Sequence, residues 1–144
     1  MADPDLTELV ERLVVAGVAI TTRALTEATP DLELTFPQWR ALLVVGEGAA
    51  GATVTEVSSR VGVTVPATSR QLRRLARRGL VEIGHDERDH RAARARLTHR
   101  GVAVRDAILS FRHERIAEVA AGLRVSANAI GELSRVVDAF DAYR

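Results

Sequence analysis

Apolar positions recur along this chain mainly at three- and four-residue intervals, with one short stretch of strict alternation past the middle. Residues 6–28 place Leu6, Leu9, Leu13, Val14, Gly17, Ile20 and Ala24 on one stripe of helical period. Pro30 and Asp31 then break the chain. In "LTFPQWRALLVVGEG", Thr35 and Gln38 have the spacing of a capping box, and Pro37 is tolerated in the first turn. Trp39, Leu42 and Leu43 form the inner stripe of that helix, which is expected to end between Val45 and Glu47. Thr53 and Glu56 make a second capping box, opening a helix of two turns that Gly62 stops. Thr64 is expected to cap the next helix, with Pro66 in its first turn and Gly79 at its C-terminal end. A short helix, a tight turn containing glycine and a longer helix form a helix-turn-helix pattern.

The alternation comes next. "LVEIGH", residues 80–85, sets Val81 and Ile83 against Glu82. "AARARL", residues 92–97, sets Ala93, Ala95 and Leu97 against Arg94 and Arg96. Both read as strands, with "DERDHR" as the tip of a hairpin and the apolar set facing inward. Thr98 caps a helix over about 99–122 carrying Ile108, Phe111, Ile116, Val119 and Leu123, and Ser126 caps a last helix carrying Ile130, Leu133, Val136, Val137 and Phe140. Val57, Val61, Leu72, Leu75, Leu80 and Ile83 suffice for a small core in the middle of the chain. The first and last helices each carry an apolar stripe of their own. They either pack together as a dimer interface or cover the core of the same monomer.

The expected fold is therefore mainly α with a small β-hairpin wing. It is a single domain over 1–144, with a winged helix-turn-helix region over about 35–98 and a helical dimerisation region in 5–30 and 99–144. The length of 144 residues and a hydrophobic fraction of 47% allow one real core. No apolar run of 18 residues occurs, and the acidic start "MADPDLTELVER" lacks the basic segment of a signal peptide. A cytoplasmic protein with no membrane partner is expected. Cysteine is absent, which excludes disulfides, thiol redox sensing and Cys-based zinc sites.

Charge changes the picture more than composition does. The net charge of +1 hides a segregation. Residues 1–45 hold seven acids and three arginines, a balance of −4; residues 55–100 hold five acids and eleven arginines, a balance of +6; residues 101–144 hold six of each. Such asymmetry points to a polyanion as partner of the middle third, although charge alone is also compatible with a solvated arginine surface. Within the helix 65–78, Thr68, Leu72, Leu75 and Ala76 share one face, while Arg70, Arg73, Arg74 and Arg77 fall at i, i+3, i+4 and i+7. Four guanidiniums with no interleaved acid repel one another, and a polyphosphate surface removes that repulsion. An α-helix fits the major groove of B-DNA, with its N-terminal residues towards base edges. Pro66, Ser69 and Arg70 are thus assigned to the groove floor, and Arg73, Arg74 and Arg77 to the backbone. A hairpin directly behind such a helix is a wing that can reach the adjacent minor groove. Arg88 is its tip residue and Arg91 lies beside it. Asp86, Asp89 and Arg91 also have the charges to hold the loop's shape through local ion pairs.

Three stretches together resemble the MarR family of winged helix-turn-helix regulators. "LTFPQWRALLVV" is similar to the family's second-helix segment, and "TEVSSRVGVTVPATSRQLRRLARRGLV" to its helix-turn-helix. "DERDHRAARARLTHRG" matches its wing pattern Asp-x-Arg-Asp-x-Arg followed by Leu-Thr-x-x-Gly, the most specific of the three. The resemblance implies a transcriptional regulator, a repressor in the leading reading. It would bind a palindromic operator in double-stranded DNA as a homodimer and be released by a small amphipathic or phenolic effector. It implies dimerisation through the terminal helices, here Leu6, Leu9, Leu13, Ile116, Val119, Leu123, Ile130, Leu133, Val137 and Phe140. Ser69 and Arg70 fall where the family contacts bases, Arg88 falls at the wing tip, and Trp39 falls on a packing position.

Three Phe, one Trp and one Tyr provide little aromatic stacking for a ligand. Metal sensing is not expected, because His85, His90, His99 and His113 lack close pair spacing. No cofactor and no catalytic set is expected either: a nucleophile elbow, a phosphate-binding glycine loop and a dinucleotide turn are all missing. The competing reading is a winged helix used for non-specific architectural DNA coating or for protein contact, which would bind through phosphates alone.

Overall fold

The computed structural model describes residues 5–85 and 93–141. The chain divides into two units, Met1–His113 and Glu114–Arg144. The first holds α1 (Leu6–Glu27), α2 (Phe36–Val45), β1 (Ala52–Thr53), α3 (Val54–Val61), α4 (Val65–Arg77), β2 (Val81–His85) and β3 (Ala93–Leu97). Helix α5 (His99–Ala121) begins in the first unit, and α6 (Ala127–Asp141) lies in the second. Among the described residues no helix is long and apolar enough to cross a membrane.

Local chemistry sets the element boundaries. Thr35 and Gln38 form the complete capping box of α2: the Thr35 amide donates to Gln38 Oε1 at 3.1 Å and the Gln38 amide to Thr35 Oγ1 at 3.4 Å. Thr53 and Glu56 do the same for α3, at 2.6 Å and 3.2 Å. Gly62 ends α3 with φ of 73°, a left-handed conformation that a side chain would strain. The Ser58 hydroxyl then donates to the Val63 carbonyl at 2.6 Å and closes the turn into α4. Thr64 occupies the N-cap position of α4, but its side chain makes no capping hydrogen bond, unlike the expectation. Pro66 at the second position has no N–H to be capped, so less is lost there.

The core of the first unit gathers Trp39, Leu42 and Val45 of α2, Val57 of α3, Leu72 and Leu75 of α4, Leu80, and Ile108 of α5, all nearly or fully buried. Ala24 and Leu25 bring in the C-terminal end of α1. Two features of the sheet differ from the pattern expected. A third strand, β1, pairs antiparallel with β3 through Ala52 with Ala95 and Thr53 with Arg94, so the order is β1-β3-β2. Ile83, expected in the core, is 44% exposed, whereas Ala95 directly opposite is 2% exposed. Val81, on the same strand and face, is 3% exposed, so the core covers the start of the outer strand β2 and no longer covers it at Ile83.

In the second unit, Ser126 caps α6 by accepting from the Ala129 amide at 3.2 Å. None of its described residues is buried. Its apolar side chains, Ile116, Val119, Leu123, Ile130, Leu133, Val137 and Phe140, are all more than half exposed.

Candidate nucleic-acid interface

Helix α4 is held from behind and bare in front. Thr68, Leu72 and Leu75 lie in the core, 2%, 1% and 0% exposed, which fixes the rotation of the helix about its axis. The opposite side presents Pro66, Arg70, Arg73, Arg74 and Arg77 to solvent, with Ser69 half-buried at the edge. The four arginines therefore lie on the exposed side, as the spacing requires. Among the described residues none of them is ion-paired; Arg73 Nε bends back to the Ser69 carbonyl at 3.3 Å. The helix carries no acid, so its positive potential is not neutralised locally. A face of this kind, about one helix wide, complements the width and charge of a major groove.

Three further arginines act as struts that the pattern did not single out. Arg78 donates to the Glu33 carbonyl at 3.0 Å, tying the end of α4 to the segment ahead of α2. Arg100 donates to the Arg78 carbonyl at 2.8 Å, and Thr98 Oγ1 to the Gly79 carbonyl at 2.6 Å. The α5 start is thus joined to the end of α4. Arg94, expected to face out, is half-buried; it donates to the Gly51 carbonyl at 3.1 Å and reaches Glu56 at 3.4 Å. The wing's central strand is thereby tied to the start of α3. The Thr53 backbone amide, the Thr53 side chain and the Arg94 charge hold the Glu56 carboxyl below its ordinary range, in that order of influence. Only the clustering of arginine hinted at these struts, since each partner is a carbonyl or a carboxylate remote in sequence.

The hairpin rises as β2 and β3 in the register Val81 with Leu97 through His85 with Ala93. The tip residues assigned from sequence, Asp86, Arg88, Asp89 and Arg91, lie outside the described residues, as does His90. His85, His99 and His113 are exposed. Among the described residues no group of three histidines or acids is placed to hold a metal ion.

A buried-back, arginine-fronted second helix followed by a β-hairpin defines a winged helix-turn-helix protein. Residues 32–92 match the model of the MarR family. Over that stretch the chain is similar to the MarR family, and the winged-helix architecture around it agrees with that likeness. Among solved structures, the Mycobacterium tuberculosis protein RV1404 is 23% identical with a TM-score of 0.76, over 98% of this chain and 95% of that one. Streptococcus pneumoniae FabT, solved in complex with DNA, is 18% identical with a TM-score of 0.75 over 96% of each chain. Streptomyces coelicolor PcaV, solved in complex with its natural ligand, is 26% identical with a TM-score of 0.63 over 100% of each chain. No curated protein sequence matches the chain.

Proposed function

We propose that the chain is a homodimeric repressor that reads a palindromic operator in the cytoplasm and is released by a small effector. The observation that carries this reading is the acid-free arginine face of α4, backed by core. Pro66, Ser69 and Arg70 meet base edges; Arg73, Arg74 and Arg77 meet phosphates; Arg88 and Arg91 of the wing reach the neighbouring minor groove. The winged helix-turn-helix spans about 35–98, and 5–30 with 99–144 forms the dimerisation region. None of the described residues of the second unit is buried, and Leu6, Leu9 and Leu13 of α1 are exposed, so both stripes call for a partner surface. Two copies would set their recognition helices ~34 Å apart, one turn of DNA. That FabT was solved with DNA and PcaV with a ligand supports both halves of the reading.

Gel-shift titration of two variants tests it. Arg70→Ala is expected to weaken operator binding by about 1–3 kcal/mol and to relax base preference. Arg74→Ala is expected to weaken all duplexes alike and to lower the salt dependence by about one ion. Variants indistinguishable from the parent would remove α4 from the groove.

A further inference from the structure

Thr68, Leu72 and Leu75 fix how α4 is turned about its axis, but they occupy the middle of the helix. Guanidiniums grip its two ends. At the leading end, Arg40 of α2 crosses to α3 and donates to the Arg60 carbonyl at 2.9 Å and the Val61 carbonyl at 3.3 Å. Those are the last carbonyls of α3, directly ahead of Gly62 and the turn into α4. At the trailing end, Arg78, the C-cap residue of α4, donates to the Glu33 carbonyl at 3.0 Å. Glu33 stands just before Thr35, the N-cap of α2. Both tethers therefore lead to α2 or to the chain entering it. Helix α2 shares its core with the end of α1, through Ala24, Leu25, Leu34, Trp39 and Leu42.

The leverage is large. Helix α4 has 13 residues and is about 20 Å long at about 1.5 Å per residue. A tilt of about 10° about one end carries the other by about 3.4 Å, the rise of one base pair. The bonds to Arg60 and Glu33 lie at the surface, where water can replace either partner. Their loss costs the fold little, whereas the direction of α4 depends on them.

We infer that Arg40 and Arg78 are positioning residues that set the tilt of α4 relative to α1 and α2, and thereby the spacing between half-sites that the protein accepts. The inference rests on the proposed homodimer on a palindrome, in which α1 carries part of the dimer contact. Neither arginine touches DNA; each acts through a backbone carbonyl.

Gel-shift titration with three duplexes tests this: the palindrome that the parent chain selects from random DNA, and the same palindrome with one base pair added or removed at its centre. The parent is expected to prefer the selected spacing by at least about tenfold, the size of one poorly fitted base pair. Arg40→Met and Arg78→Met are each expected to cut that preference to under about threefold, while affinity for a duplex carrying a single half-site stays within about twofold of the parent. Thermal midpoints are expected to move by less than about 5 °C. A preference kept by either variant overturns the inference. So does a loss of affinity equal for every duplex, which would make the arginines phosphate contacts or plain fold supports. The two ends are separate tests, so one variant that fails to fold leaves the other to decide, and failure of both to fold overturns the inference. A parent that binds all three spacings alike sinks the palindromic reading and the inference together. A parent that discriminates, beside variants that discriminate equally, sinks the inference alone.

Discussion

Replacing Gly101 with alanine strikes the joint between α5 and the end of α4. Gly101 is buried in the first turn of α5, and a Cβ built there lies 1.9 Å from the Leu80 carbonyl oxygen and 3.0 Å from its carbonyl carbon. Leu80 is fully buried, so its backbone has nowhere to retreat. The start of α5 must withdraw by about 1 Å before that oxygen is outside 3.0 Å. The bond from the Thr98 amide to the Leu80 carbonyl, now 3.1 Å, is then stretched beyond use, and the Thr98 hydroxyl on Gly79 is strained with it. Overpacking costs about 1–3 kcal/mol, and two weakened hydrogen bonds add about 0.5–1.5 kcal/mol each. The better helix propensity of alanine returns about 1 kcal/mol. A net loss of about 3 kcal/mol is expected in urea unfolding, together with weaker operator binding, since the same joint sets the end of α4. A loss under about 0.5 kcal/mol, or a gain, would show that α5 is not packed hard against Leu80.

Thr68 is buried on the inner face of α4 and its hydroxyl has no partner. Thr68→Val is expected to raise unfolding stability by about 1 kcal/mol in the same assay, and a loss of that size would mean the hydroxyl is hydrogen-bonded. Glu56→Gln addresses the clamp between α3 and the wing strand. The Glu56 pKa is lowered in the folded chain, so its stabilisation is present above the unfolded value and is lost as pH falls through the folded one. The variant should be less stable than the parent at pH 7, and the gap should close below about pH 4; a gap independent of pH would contradict the clamp. Leu133→Glu places a charge on the exposed apolar stripe of α6. Sedimentation equilibrium is expected to show a monomer with weakened operator binding, and an unchanged mass would move the dimer contact elsewhere.

Much of the fold was legible because its boundaries are chemical. Thr35 with Gln38 and Thr53 with Glu56 announce helix starts by spacing alone, and Gly62 announces a stop; all three stand where the pattern set them. The orientation of α4 was legible too, because Thr68, Leu72 and Leu75 leave only one side for Arg70, Arg73, Arg74 and Arg77. What escaped were features without local periodicity. Strand β1 is two residues long, too short to show alternation. Ile83 alternates correctly for its strand, but only the start of β2, at Val81, lies under the core, and alternation does not show where that cover ends. Arg40, Arg78, Arg94 and Arg100 look like any other arginine in sequence, yet each donates to a carbonyl at least 20 residues away.

The central claim is that an exposed arginine face, aimed by its buried opposite side, reads base sequence rather than charge alone. Selecting bound duplexes from random DNA, then competing the winner against random duplex at ~150 mM salt, tests it most directly. The account predicts a palindromic site preferred by about 10³-fold or more. Equal competition by random duplex, with affinity that merely collapses as salt rises, would contradict it.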